Sequence, residues 1–236
     1  DSILIYCFII FNKISFIYSQ KNNHYHNRKL QASDQIIIKI RGKGNQSILN
    51  SDFLPHPSEI LINEKPVNIT DQNKINNLTE EDNIIIMKWE NKLETCENMF
   101  TGLDNIIEID LSNIDTSNVR SMEFMFSECS NLKSIKLNNI NTSLVTTMQG
   151  LFLRCYSLTS LDMSSFDTSS IKSMSYMFSD CYSLISLNLS NFNTSSLEQM
   201  AYLFTNCHSL ISLDLSKFNT SKVINMFGAF YNCTSL

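Results

Sequence analysis

Cysteines recur at Cys129, Cys155, Cys181, Cys207 and Cys233, and phenylalanines at Phe100, Phe126, Phe152, Phe178, Phe204 and Phe230, each series stepping by 26 residues without slippage. Self-similarity at a fixed period of this size is the signature of a repeat array, and it constrains the fold before any motif is considered. A Thr-Ser pair keeps the same step from Thr116 through Thr142, Thr168 and Thr194 to Thr220, as does an aliphatic position from Ile106 through Leu132, Leu158, Leu184 and Leu210 to Leu236. The opening unit is irregular, with Cys96 in the slot later held by Met122, Met148, Met174, Met200 and Met226, and with Leu103 in the slot of the later cysteines.

Within one unit, Leu184, Leu187 and Leu189 form an LxxLxL pattern whose last two members alternate as a half-buried strand requires. Ser186, Asn188 and Ser190 then point the other way. The NTSS run at 193–196 suits a turn and a helix N-cap. Beyond it, Leu197, Met200, Leu203, Phe204 and Cys207 fall on one stripe of a short helix. Each unit therefore reads as strand, turn, helix, and is too small to bury a core alone. Stacking on its neighbours would supply the missing burial.

The run SLTSLDMSSFDTSSIKSMSYMFSDC and its sisters resemble the BspA-like leucine-rich repeats, specifically the surface-protein subgroup with 26-residue units. The resemblance covers about Thr95 to Leu236 and rests on the joint match of period, Met-x-x-Met-Phe and Cys; Leu151, Leu203 and Ala229 replace the second methionine with other apolar residues. It implies an α/β leucine-rich-repeat solenoid over 95–236, with a parallel strand ladder inside and short helices outside, preceded by a small β-rich cap. It also implies a secreted or surface-anchored protein of microbes or protists that contacts other proteins or host cells, without catalysis.

Upstream the period is absent. IIIKIRGKGN, EILINEKPV and NIIIMKW read as strands around turns at 42–45 and 63–65, a β-rich capping module over 34–94 that hides the first strand edge. Residues 20–33 are polar and read as a linker. The apolar run Ile3–Phe11 suits a signal peptide ending near Ser19 better than a membrane span, which needs about 20 residues; a signal anchor is the alternative over 1–19. The chain stops inside a unit at Leu236, so it reads as truncated at its C-terminus. Membrane association is expected only through an uncleaved leader or an anchor outside this segment. A net charge of -5 argues against a nucleic-acid partner.

Two surfaces are candidates for partner contact. The inner strand face carries Glu108, Asp110, Lys136, Asp162, Asn188 and Asp214; in the middle ladder no two acidic residues are neighbours, which suits either electrostatic relief or a shallow recognition face. The outer side carries Phe124, Tyr176 and Tyr202, with Phe227, and, just after the cysteines, Tyr156, Tyr182 and His208. Exposed aromatics in a row mark an interface or cover neighbouring loops.

The cysteine column reads as buried thiols acting as small apolar fillers, because parallel side chains in one ladder do not meet disulfide geometry. No CxxC pair or histidine set suggests zinc. RGKGNQS lacks the Gly-Lys-Ser/Thr ending of a phosphate loop, and no nucleophile elbow accompanies the many serines. No cofactor is implied. Sequons at Asn45, Asn68, Asn77, Asn141, Asn193 and Asn219 are candidate glycosylation sites, although Asn-Thr-Ser is also good turn chemistry; Asn188 lies in a paired strand. The function expected is non-enzymatic: a secreted or cell-surface protein mediating protein or glycan binding, or adhesion, through its repeat surface. The alternatives are a stalk or coat scaffold, or the regulatory repeat region of a larger protein.

Overall fold

The computed structural model describes residues 34–67 and 73–236. The expected signal segment 1–19, the linker 20–33 and Asn68 lie outside the described residues.

Runs of three consecutive isoleucines build two seven-residue strands with apolar side chains on both faces, β1 (Gln35–Arg41) and β6 (Asp82–Lys88), which pair antiparallel from Gln35 opposite Lys88 to Arg41 opposite Asp82. Ile36, Ile38, Ile40, Ile85 and Met87 enter the main core, while Ile37, Leu61 and Ile86 form a small cluster on the opposite face. A short ribbon of β2 (Gly44–Ser47) and β5 (Lys74–Leu78) stands apart. β3 (Glu59–Ile62) borders β6 and turns through Asn63 and Glu64 into β4 (Lys65–Pro66). The other edge of β1 pairs antiparallel with β7 (Ile106–Asn113), and β7 pairs parallel with β8 (Ser134–Lys136). The resulting mixed sheet, ordered β4-β3-β6-β1-β7-β8, runs across the 94/95 boundary.

From Cys96 onward the 26-residue coils lie on one another in register. Phe100, Phe126, Phe152, Phe178, Phe204 and Phe230 form one column with ring centroids 5.3 to 5.9 Å apart and nearly parallel planes. Those spacings exceed the 3.5 to 4.0 Å of direct carbon contact, so the rings overlap with a lateral offset, as aromatic quadrupoles favour. The five rings from Phe100 to Phe204 are fully buried.

The expected α/β leucine-rich-repeat solenoid is corrected by three features. Among the described residues there is no helix, the sheets are mixed, and the inner ladder is interrupted, so the fold is predominantly β. β9 (Ser160–Leu161) and β10 (Ser186–Leu187) are only two residues long and pair with each other in a separate parallel sheet.

The reason lies in the backbone. Where a helix was expected, alternate amides leave the coil altogether: Met122, Phe124, Phe126 and Glu128 donate to the carbonyls of Thr147, Gln149, Leu151 and Leu153 in the next coil. The amides between them, at Met125, Ser127 and Cys129, bond back three residues, to Met122, Phe124 and Phe126. Positive φ at Phe124 (53°) and Glu128 (62°) closes each of these turns and ends any helical run. Two successive turns of four residues carry Met122, Met125, Phe126 and Cys129 inward at spacings a helix would also give, which is why the sequence pattern misleads. The strands are short for a related reason. The Oδ1 atoms of Asp162, Asn188 and Asp214 each accept the amide two residues on, which bends the chain out of the extended state; the same bond from Asp110 lies within β7 and accompanies a shift in its pairing with β1.

A third bond ties the coils together at the inner corner. Thr116, Thr142, Thr168 and Thr194 are buried, and each hydroxyl donates to the carbonyl of Asn141, Asp167, Asn193 or Asn219 while accepting that same residue's amide.

Gly150 occupies the first positive-φ slot, and a Cβ there would lie 2.3 Å from the Phe124 ring, which roofs it; Gly102, also at positive φ, has open space around it. Gly102→Ala should therefore cost only the left-handed penalty of about 1 kcal/mol. Gly150→Ala should cost about 1 to 3 kcal/mol more through the clash. Urea denaturation of the two variants compares them directly.

Candidate functional site

The inner-face candidates occupy two environments. Glu108 lies 3.6 Å from Lys39 of β1, and Asp110, nearly buried, accepts from Lys136 Nζ at 3.0 Å. Both are held at the junction of β1, β7 and β8. Asp162, Asn188 and Asp214 are exposed, with one side-chain oxygen committed to a turn. The Ser164 hydroxyl and amide hold Asp162 below the usual carboxylate range, and the Ser216 amide and hydroxyl do the same for Asp214.

The outer aromatics fall into two columns. Tyr176 is exposed and stacks on half-buried Tyr202 with centroids 4.9 Å apart; Tyr202 meets the edge of Phe227 at 5.3 Å and roofs Gly228. Phe124 serves the same column by roofing Gly150. Large side chains at positive φ, such as Phe124, Tyr176 and Tyr202, are uncommon. The second column begins at Tyr156, which stacks on Tyr182 at 4.9 Å; Tyr182 in turn meets the His208 ring at 5.2 Å with the planes tilted by 30°.

Two residues before each ring of that second column runs a polar ladder that sequence reasoning missed. Arg154 Nη1 lies 2.6 Å from Glu128 Oε1 and Arg154 Nε 3.9 Å from Asp180; Asn206 donates to Asp180 at 2.6 Å and Asn232 donates to Asn206 at 2.8 Å. These residues fill the second positive-φ slot, spaced by 26, so the period alone could have revealed them as a column. The Glu128 carboxylate pushes the Arg154 guanidinium above its ordinary value. Where the first coil has Gly102 in the ladder and the second has Ser130 in the aromatic column, a recess of about 290 Å³ opens, lined by Gly102, Asp104, Glu128, Ser130, Arg154 and Tyr156.

The cysteine column is more than filler. Cys129, Cys155, Cys181 and Cys207 are fully buried free thiols, and each Sγ–H donates to the carbonyl of Phe100, Phe126, Phe152 or Phe178 in the preceding coil at 3.1 to 3.2 Å. Burial pushes the thiols of Cys129 and Cys207 up to about 12. Among the described residues no group of three or more His, Cys, Asp or Glu is placed to hold a metal ion.

The sequon asparagines at Asn141, Asn193 and Asn219 are exposed, and each Oδ1 caps the amide two residues on, as Asp115 and Asp167 do in the same slot. The slot selects turn chemistry, which Asn and Asp supply equally. In the cap, Asn45 Oδ1 accepts the amide of Asn77, which sits at φ 60°.

A family model described as "Mycoplasma protein of unknown function, DUF285" matches residues 68–183 and 160–236. That finding corrects the resemblance to BspA-like leucine-rich repeats, since the family identified is this one. No curated protein and no solved structure matches.

A thiol whose folded value is raised contributes stability that is complete below the unfolded value near 8.5 and is lost as pH climbs toward the folded value. The melting temperature should therefore fall between about pH 8.5 and 12. In native protein a chromogenic disulfide reagent should modify half-buried Cys233 ahead of Cys129, Cys155, Cys181 and Cys207, and reach those four only on unfolding. Mass mapping of the labelled peptides checks the order.

Proposed function

The chain belongs to the family of Mycoplasma proteins of unknown function, DUF285, and from that premise we propose that it is a non-catalytic binding protein, secreted or displayed at the cell surface, that engages a protein partner through the outer side of its coils. The observation that carries this reading is the pair of outer aromatic columns, with Tyr176 37% and Tyr182 39% exposed on a backbone fixed by bonds between coils. Exposed aromatics on a rigid frame supply contact area at low entropic cost on binding. The apolar Ile3–Phe11 run supports export. Buried free thiols fit an oxidising compartment, because they are kept from exchange with outside disulfides.

The test is retention of the immobilised chain's partners from arrays of synthetic peptides and oligosaccharides, with a Tyr176→Asn/Tyr182→Ser variant as control. These replacements are the residues that Asn98 and Ser130 already place in the same slots. The wild type should retain a defined subset of peptides, and the variant should lose at least tenfold in retention while still unfolding cooperatively, its melting temperature lowered only by the lost ring contacts. No retention by the wild type, or equal retention by both, overturns the reading.

A further inference from the structure

We infer that the recess at Gly102 and Ser130 receives a cationic side chain, the guanidinium or ammonium of an Arg or Lys presented by a protein partner; this deepens the binding role proposed above and rests on it. Three features lead there.

The first is an aromatic face left open. One face of Tyr156 is covered by Tyr182 at 4.9 Å, but the slot on its other side holds Ser130 and the one beyond it Asp104, neither of which carries a ring. Tyr156 is thus the terminal ring of its column, and it lines the recess. The face of an aromatic ring carries the negative side of its quadrupole and attracts a cation placed over it.

The second is the charge around that face. Arg154 is committed to Glu128 at 2.6 Å and leans on Asp180 at 3.9 Å, whereas the Asp104 carboxylate makes no hydrogen bond or ion pair among the described residues. Among the residues that line the recess, the carboxylates of Asp104 and Glu128 outnumber the one guanidinium of Arg154, while Arg41 and Lys133 border Asp104 on its other side, in a neighbouring recess. A neutral sugar stacked on Tyr156 would find mostly acceptors, with the Arg154 donors already engaged. A cation finds both an open ring face and a carboxylate without a partner.

The third is shape. Gly102 stands in the ladder slot that Glu128, Arg154, Asp180 and Asn206 fill in later coils, and nothing lies within 4 Å of where its Cβ would be. The missing side chain opens the approach to Asp104. The volume of about 290 Å³ suits one long side chain.

The experiment titrates the full chain, followed by two-dimensional NMR, with short acetylated peptides carrying a central Arg or Lys and with matched peptides carrying citrulline or norleucine. Maltotriose and chitotriose form a separate arm. Arg and Lys peptides should give saturable shifts that weaken as salt is raised, and Asp104→Asn should weaken binding about fivefold. Ser130→Tyr, which continues the ring column over Tyr156, should abolish the shifts while leaving the fold intact. Equal binding of the citrulline peptide, saturable binding of the sugars instead, or undiminished binding by Ser130→Tyr overturns the inference. Failure here with array retention intact removes the recess alone; failure of the arrays removes the wider binding role, whatever the small peptides do.

Discussion

Everything in the repeat region depends on where alternate amides of the outer turns send their hydrogen bonds. In the coils from Cys96 to Asn206 four N–H groups each, such as those of Met148, Gly150, Phe152 and Arg154, leave their own segment and bond to carbonyls of the next, at Ser173, Ser175, Met177 and Ser179. Buried backbone groups must be paired, so a coil without a neighbour would leave these donors unmet. The same requirement is handled once by other means at the first coil. There Asn50 of the β-module offers its amide to Met99 O and its side-chain nitrogen to Thr101 O, standing in for a preceding coil. The β1–β7 pairing does the equivalent for the strand edge.

Much of this was written in the period and little of it in the propensities. Columns of Phe, Cys and Thr follow from a strict step of 26, and the structure stacks those side chains coil on coil. The state of the backbone between the columns did not follow. Met122, Met125, Phe126 and Cys129 satisfy a helical stripe and a pair of tight turns equally well. The deciding signal was the residue at the turn ends, where Gly150 and Gly228 alternate with aromatics. Aromatic residues at positive φ have no local sequence logic; their stacking across coils holds them there, which is a tertiary cause. The brief strands are a parallel case. Asp and Asn in the LxL run look like outward-facing ladder residues until their side chains are seen to bond the amide two positions on, ending the strand from within.

The candidate site divides along the same line. The outer rings were legible as a column because aromatic residues recur at 26-residue intervals. The recess beside Tyr156 was not, because it is made by what two slots lack: a ring at Ser130 and a polar side chain at Gly102. Absence in a repeat is visible only once the neighbouring coils show what would fill the place. The polar ladder through Glu128, Arg154 and Asp180 was likewise hidden by chemical diversity, since successive members share a position and a conformation but not a residue type.

The buried threonines carry one more consequence. Each hydroxyl both gives and takes a bond with one residue 25 positions further on, and no other offset satisfies both. An insertion or deletion inside a coil shifts that partner out of reach and strands the hydroxyl, the thiol and the Phe ring together. Chain length in such a protein is thus quantised: only whole coils can be added or removed with these bonds kept, and finer change is confined to what each fixed position displays.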